Sequence, residues 1–126
     1  MELIKPLTKG QIKKLDRLWQ KKVLTSLGGR SVLGGMAEVA HHFKTKGAHG
    51  FYLRWYIPNG IPLTNEQHQR IHGKDGKMIE DEIYEIKGQE WSRGLSTYCG
   101  HRKTGLLNPI RYEDVIRHLN GEIKYY

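Results

Sequence analysis

Val39-Ala40-His41-His42-Phe43, then Pro58-Asn59-Gly60-Ile61-Pro62-Leu63-Thr64-Asn65-Glu66-Gln67-His68-Gln69-Arg70-Ile71-His72-Gly73, is the part of this 126-residue chain that decides how the rest is read. Thr64 followed by Gln67 three residues later is the pattern of a capping box, so a helix is expected to begin at Thr64 and to stop near Gly73. His68 and His72 are four apart, which on a helix puts both imidazoles on one face. Upstream, Pro58-Asn59-Gly60 is a turn signal and Ile61-Pro62-Leu63 continues extended. Residues 37–43 read as a short strand, 44–50 as a loop, and the aromatic, β-branched run FYLRWYI at 51–57 as a second strand. The expectation is a strand pair around a long loop, followed by a capped helix.

Two imidazoles at that spacing can share one metal ion, and a third ligand must come from elsewhere. His41 and His42 are the nearby donors. Adjacent strand residues point to opposite faces, so if His41 faces the metal, His42 stays off it yet close to anything bound there. A neutral imidazole is suited to take a proton from water near neutral pH. A His-x3-His pair or a His-His dipeptide by itself is a weak signal, and it is the ordered combination with an Asn-containing turn that points to a site. His49, His101 and His118 fit no such pattern and read as ordinary polar residues.

Working outward, residues 8–27 read as a helix with Thr8 as cap and Ile12, Leu15, Leu18, Trp19 and Val23 as its apolar stripe. Gly28-Gly29 ends it, and 28–36 (GGRSVLGGM) reads as a flexible connection without the Gly-Lys-Ser/Thr ending of a phosphate loop. Residues 78–92 read as a helix weakened by Gly88, 93–110 as irregular, and Tyr112 to Leu119 as a short amphipathic helix. One domain is expected over 1–126: a basic N-terminal helix and glycine-rich loop (1–36), a core (37–73) and a C-terminal helical extension (74–126).

The net charge is +8, and it is uneven: residues 1–50 carry ten Lys/Arg against Glu2, Asp16 and Glu38. Lys13, Lys14 and Arg17 lie largely off the apolar stripe of the first helix. Such a surface is either an electrostatic footprint for a polyanion or a solvated face that keeps the chain dispersed. No stretch has the apolar length of a membrane span, and MELIKPLTKG lacks an apolar signal core. The single cysteine, Cys99, rules out an internal disulfide and fits a reducing compartment, so a cytoplasmic location is expected. Trp19, Trp55 and Trp91 could stack on unpaired bases, but tryptophan is more often a core residue.

The stretch from Glu38 to Gly73 resembles the HNH endonuclease motif of the ββα-metal (His-Me finger) fold. The spacing His41-His42-x16-Asn59-x8-His68-x3-His72 is similar to that of colicin DNase domains, and Arg54-Trp55-x3-Asn59-Gly60-Ile61-Pro62-Leu63 resembles small HNH proteins of bacteriophages. The resemblance implies an α+β fold with a ββα-metal core and flanking helices. It implies His41, His68 and His72 as ligands of one divalent ion (Mg, Mn, Zn or Ni), His42 as general base, and Asn59 as the residue that keeps the loop in shape. It further implies a metal-dependent endonuclease or nickase in a bacterial or phage-infected cell. DNA is the expected partner with RNA left open, no membrane is involved, and a homodimer is one way to cut both strands. In many HNH proteins the position of His72 has no ligand counterpart, so its role leans on the colicin-like subgroup. Arg54, with Lys13, Lys14 and Arg17, is the expected phosphate contact; Arg70 should face away from the metal. Glu38 could steady a ligand imidazole or stand in solvent. Phage relatives often carry two cysteines of a structural zinc where this chain has Thr64 and Gln67, so the helix start here is expected to be held by hydrogen bonds. The competing reading is a non-catalytic, metal-stabilised nucleic-acid-binding module, which needs the ligands but not His42.

Overall fold

A computed structural model describes residues 6–44, 53–107 and 109–126. The first helix, α1 (Lys9–Thr25), begins at a full capping box between Thr8 and Gln11 and buries Leu15, Trp19 and Val23, one residue per turn. Two strands follow, β1 (Val39–His42) and β2 (Gly60–Leu63). They pair antiparallel in the register Val39 with Leu63, Ala40 with Pro62, His41 with Ile61 and His42 with Gly60. Helix α2 (Asn65–Ile71) comes next, then the long α3 (Gly76–Lys103) and the short α4 (Tyr112–Leu119). The architecture is α+β. No described helix is long and apolar enough to cross a membrane.

The FYLRWYI segment departs from the strand expectation. Residues 51 and 52 lie outside the described ones; Leu53 to Trp55 form turns, and Ile57–Asn59 is a single 3-10 turn. Leu53, Trp55 and Tyr56 are all buried, two of them consecutive, which a strand with alternating faces cannot do against one core. The segment instead wraps the main core, and the second strand starts at Gly60. That position requires glycine: a Cβ there would stand 2.1 Å from Cγ2 of Val23 and 2.9 Å from Cζ2 of Trp19, so α1 lies directly on the backbone of β2.

Two apolar clusters result. The larger gathers Leu15, Trp19 and Val23 of α1 with Trp55, Tyr56, Leu95, Tyr98 and Leu119; the smaller holds Ile61, Leu63, Ile71, Ile79 and Ile83 beneath β2 and α2. Helix α3 serves both. It breaks at Gly88 (φ 89°, ψ 169°), so that Ile79 and Ile83 reach one cluster and Leu95, Tyr98 and Cys99 the other. Residues 93–103 are therefore helical rather than irregular: the spacing of Trp91, Leu95, Tyr98 and Cys99 makes an apolar stripe whose burial outweighs the helix-weakening Gly94 and Gly100. Phe43 and Trp91 touch both clusters and meet edge to face at 4.9 Å.

The glycine-rich connection is also more ordered than expected. Ser31 N–H donates to Gly35 O (2.9 Å), Val32 N–H to Pro62 O (3.0 Å) and Ala37 N–H to Gly29 O (2.9 Å), so the segment folds back along the sheet. Gln67 clamps it to α2, its Nε2 donating to Gly34 O (2.9 Å) while Ser31 Oγ donates to its Oε1.

Candidate metal centre and its flanking imidazole

Strand β1 delivers two histidines to opposite sides. His41 turns toward α2 and lies edge-on to His68 (ring centres 5.2 Å apart) and His72 (5.4 Å). His42 turns toward α1, its ring stacked on Trp19 at 4.1 Å and 9°.

Helix α2 places the other two imidazoles. Thr64 Oγ1 accepts from Gln67 N–H (3.1 Å) and Gln67 Oε1 accepts from Thr64 N–H (2.9 Å), so the expected capping box forms. Glu38 adds to it: its carboxylate accepts from Asn65 N–H (3.1 Å) at the positive end of the helix. Glu38 is exposed, as the solvated reading expected, and from there it steadies the helix that carries His68 rather than a ligand ring. The helix closes at His72, still on the face of His68.

His41, His68 and His72 each offer a ring nitrogen, and all three nitrogens lie within 4.8 Å of one another, close enough to bind one metal ion. The Nε2 atoms of His68 and His72 are 3.1 Å apart. Two nitrogens bound at usual lengths to one tetrahedral ion would be separated by about 3.3 Å. Nε2 of His41 is buried and has no hydrogen-bond partner, a costly state for a polar atom that a cation would relieve. Burial first, then the neighbouring imidazoles of His68, His72 and His42, push its pKa down to about 4. Burial and His72 lower that of His68. Both rings therefore favour the neutral form whose lone pair a metal needs. The donor set fits a metal ion.

His42 is outside this cluster and is held differently. Its Nε2 lies 2.9 Å from the carbonyl oxygen of Arg54. A carbonyl can only accept, so Nε2 carries the hydrogen, and in the neutral ring Nδ1 is the basic nitrogen. Asn59, fully buried, closes the loop that brings Arg54 there. Its Oδ1 accepts from Lys44 N–H (2.8 Å), and its Nδ2 donates to Lys44 O (3.0 Å) and Leu53 O (3.3 Å), joining the two ends of the stretch 45–52, which lies outside the described residues together with His49.

The expected phosphate contacts fall in two groups. Lys13, Lys14 and Arg17 are exposed on α1. Arg54 is not presented alone: its Nε and Nη2 donate to Asp16 Oδ1 (2.9 Å) and Oδ2 (2.8 Å), and what it brings to His42 is its main-chain carbonyl. Arg70 pairs with Asp75 at 3.6 Å, on α2. Trp19 and Trp55 are buried and Trp91 partly so, with its indole N–H donating to Pro58 O (2.7 Å). His118 is more than an ordinary polar residue: it is buried, its Nε2 accepts from Ile57 N–H (3.1 Å), and its Nδ1 donates to Ile123 O (3.3 Å). Sequence reading missed Asp16 and Trp19 as neighbours of the His42 segment. One clue was available: Asp16 is the single acid among the six cations of α1. Comparison of the chain with protein-family models, curated proteins and solved structures gives no match.

Proposed function

We propose that this chain is a metal-dependent HNH endonuclease or nickase that hydrolyses DNA phosphodiester bonds on a ββα-metal core formed by β1, β2 and α2. The observation that carries this reading is the separation across β1: three imidazoles converge with an orphaned buried nitrogen on one side, while a fourth is turned away and held in a defined tautomer on the other. A binding module stabilised by metal has use for the first arrangement but none for the second.

His42 Nδ1 takes a proton from a water molecule, whose oxygen bonds to phosphorus; the bond from phosphorus to the 3′ oxygen breaks, and that oxygen leaves with a proton from solvent. The products carry 5′-phosphate and 3′-hydroxyl. Arg54 O keeps Nε2 protonated through this step, and Asn59 keeps Arg54 in place. His41, His68 and His72 would hold one divalent ion (Mg, Mn, Zn or Ni), which would supply positive charge to offset the negative charge growing on the phosphate and the leaving oxygen. Lys13, Lys14 and Arg17 on α1 offer salt-sensitive attraction to backbone phosphates without reading bases.

The test is nicking of supercoiled plasmid, with branched and single-stranded DNA and RNA alongside, by purified protein supplied with each metal in turn. Cleavage that needs a divalent ion and is lost in His42→Ala is the expected result. Binding without cleavage under every metal would instead support the non-catalytic module.

A further inference from the structure

We propose that α1 is part of the site: Asp16 and Trp19 are positioning residues that set the tautomer and ring plane of His42. The catalytic meaning of this rests on the nuclease reading; the positioning itself does not.

The ring of His42 is restrained by the carbonyl of Arg54 at its edge and the indole of Trp19 on its face. Both lead to α1. Arg54 sits in a turn, outside either strand. Its side chain is gripped from α1. The two oxygens of Asp16 receive its guanidinium as a fork, and Oδ1 also accepts from Trp55 Nε1 at 2.8 Å. One carboxylate thereby ties down two successive residues of the segment whose carbonyl holds His42. Trp19 stands three residues beyond Asp16 on the same helix face, and its own Nε1 donates to Tyr56 O (3.1 Å), the next anchor of that segment. The same helix packs directly on the bare backbone of Gly60.

The Arg54–Asp16 side chains are only 20% and 30% exposed and meet as a fork, and removing the carboxylate would also strand the indole N–H of buried Trp55, so Asp16→Ala is expected to lower stability as well. The orientation of His42, read from its ring nitrogens, is therefore what separates positioning from a purely structural role.

The experiment uses the full chain, uniformly 15N-labelled, with the His42 ring signals assigned by their loss in His42→Ala. Two-bond 1H–15N correlation at pH 8 should show the Nε2-protonated tautomer in the wild type. In Asp16→Ala the two nitrogen shifts should move toward each other, the mark of mixed tautomers, while bound zinc per chain stays unchanged. Arg54→Met, which removes the same bridge from its other end, should give the same shift and keeps the test intact should Asp16→Ala fold poorly. In Trp19→Leu the upfield ring-current shift of the His42 carbon-bound protons should vanish; in Trp19→Phe most of it should remain. If cleavage is observed, Asp16→Ala should lower kcat by about 10- to 100-fold with little change in KM. Wild-type His42 nitrogen shifts in both Asp16→Ala and Arg54→Met would overturn the proposal whatever the activity. A wild type that shows the tautomer signature yet cuts no nucleic acid would overturn the nuclease reading and leave the positioning standing.

Discussion

His41 and His42 are neighbours in β1, yet they live in opposite chemical surroundings. The α2 side of the strand gathers three imidazoles around a nitrogen that has no partner; the α1 side gives its one imidazole a carbonyl at the edge and an indole on the face. The first arrangement is electrostatically unfinished, and a cation would complete it. The second is finished in the neutral state and is built to keep one nitrogen basic. The alternation of a strand turns one dipeptide into two environments, each bordered by a different helix.

Breaking the two sides separately should therefore give opposite phenotypes. His42→Ala should have the largest effect on cleavage, a loss of roughly 10²- to 10⁴-fold in rate, with metal content unchanged by elemental analysis. His68→Ala should do the converse first: bound metal falls, and with it the rise in Tm on adding metal, which for an ion at 100 times its Kd corresponds to about 2.7 kcal/mol. Asn59→Ala strikes the α1 side through the loop. It leaves the N–H and C=O of Lys44 and the C=O of Leu53 unpaired, and a cost of about 1–3 kcal/mol in chemical denaturation is expected for stranding such groups, with cleavage reduced more than metal binding. Thr64→Ala strikes the α2 side by removing the cap, an expected loss of about 0.5–2 kcal/mol, with the His42 tautomer unaffected.

The smallest effect is expected at His118, which holds the far end of the segment that carries Arg54. Burial lowers the pKa of His118, whose Nε2 must keep its lone pair to accept from Ile57 N–H. The folded pKa lies below that of the unfolded ring, near 6.5, so folding favours the neutral form. Its contribution is present above that range and is lost as pH falls through it. Tm of the metal-free protein should drop between pH 7 and 5, and part of that drop should disappear in His118→Gln. His41, pushed down to about 4, works in the same direction and should account for part of what remains.

Much of this was legible in the chain, for identifiable reasons. Capping residues and helical periodicity located α1, α2 and α4, since both signals are local. The convergence of His68 and His72 followed from their spacing, and the parting of His41 from His42 from strand alternation. Where burial against distant elements decided the outcome, local reading failed. FYLRWYI has strand composition, yet Leu53, Trp55 and Tyr56 are all drawn into one core from a turn. The second half of α3 is glycine-weakened and still helical because Leu95, Tyr98 and Cys99 are buried together. The glycine-rich stretch is held by Gln67, 31 to 39 positions away in the chain, and Glu38 found the N-terminus of α2 rather than an imidazole. The bridge from Asp16 to Arg54 crosses 38 positions and carries no local pattern at all.

The division across β1 is tested most directly by a metal-binding isotherm on the wild type and on four single variants, His41→Ala, His42→Ala, His68→Ala and His72→Ala. The expected result is one ion per chain in the wild type, bound with the same affinity by His42→Ala and much more weakly by the other three. A variant at His42 that loses the ion, or one at His41 or His68 that keeps wild-type affinity, would contradict the assignment of the two faces.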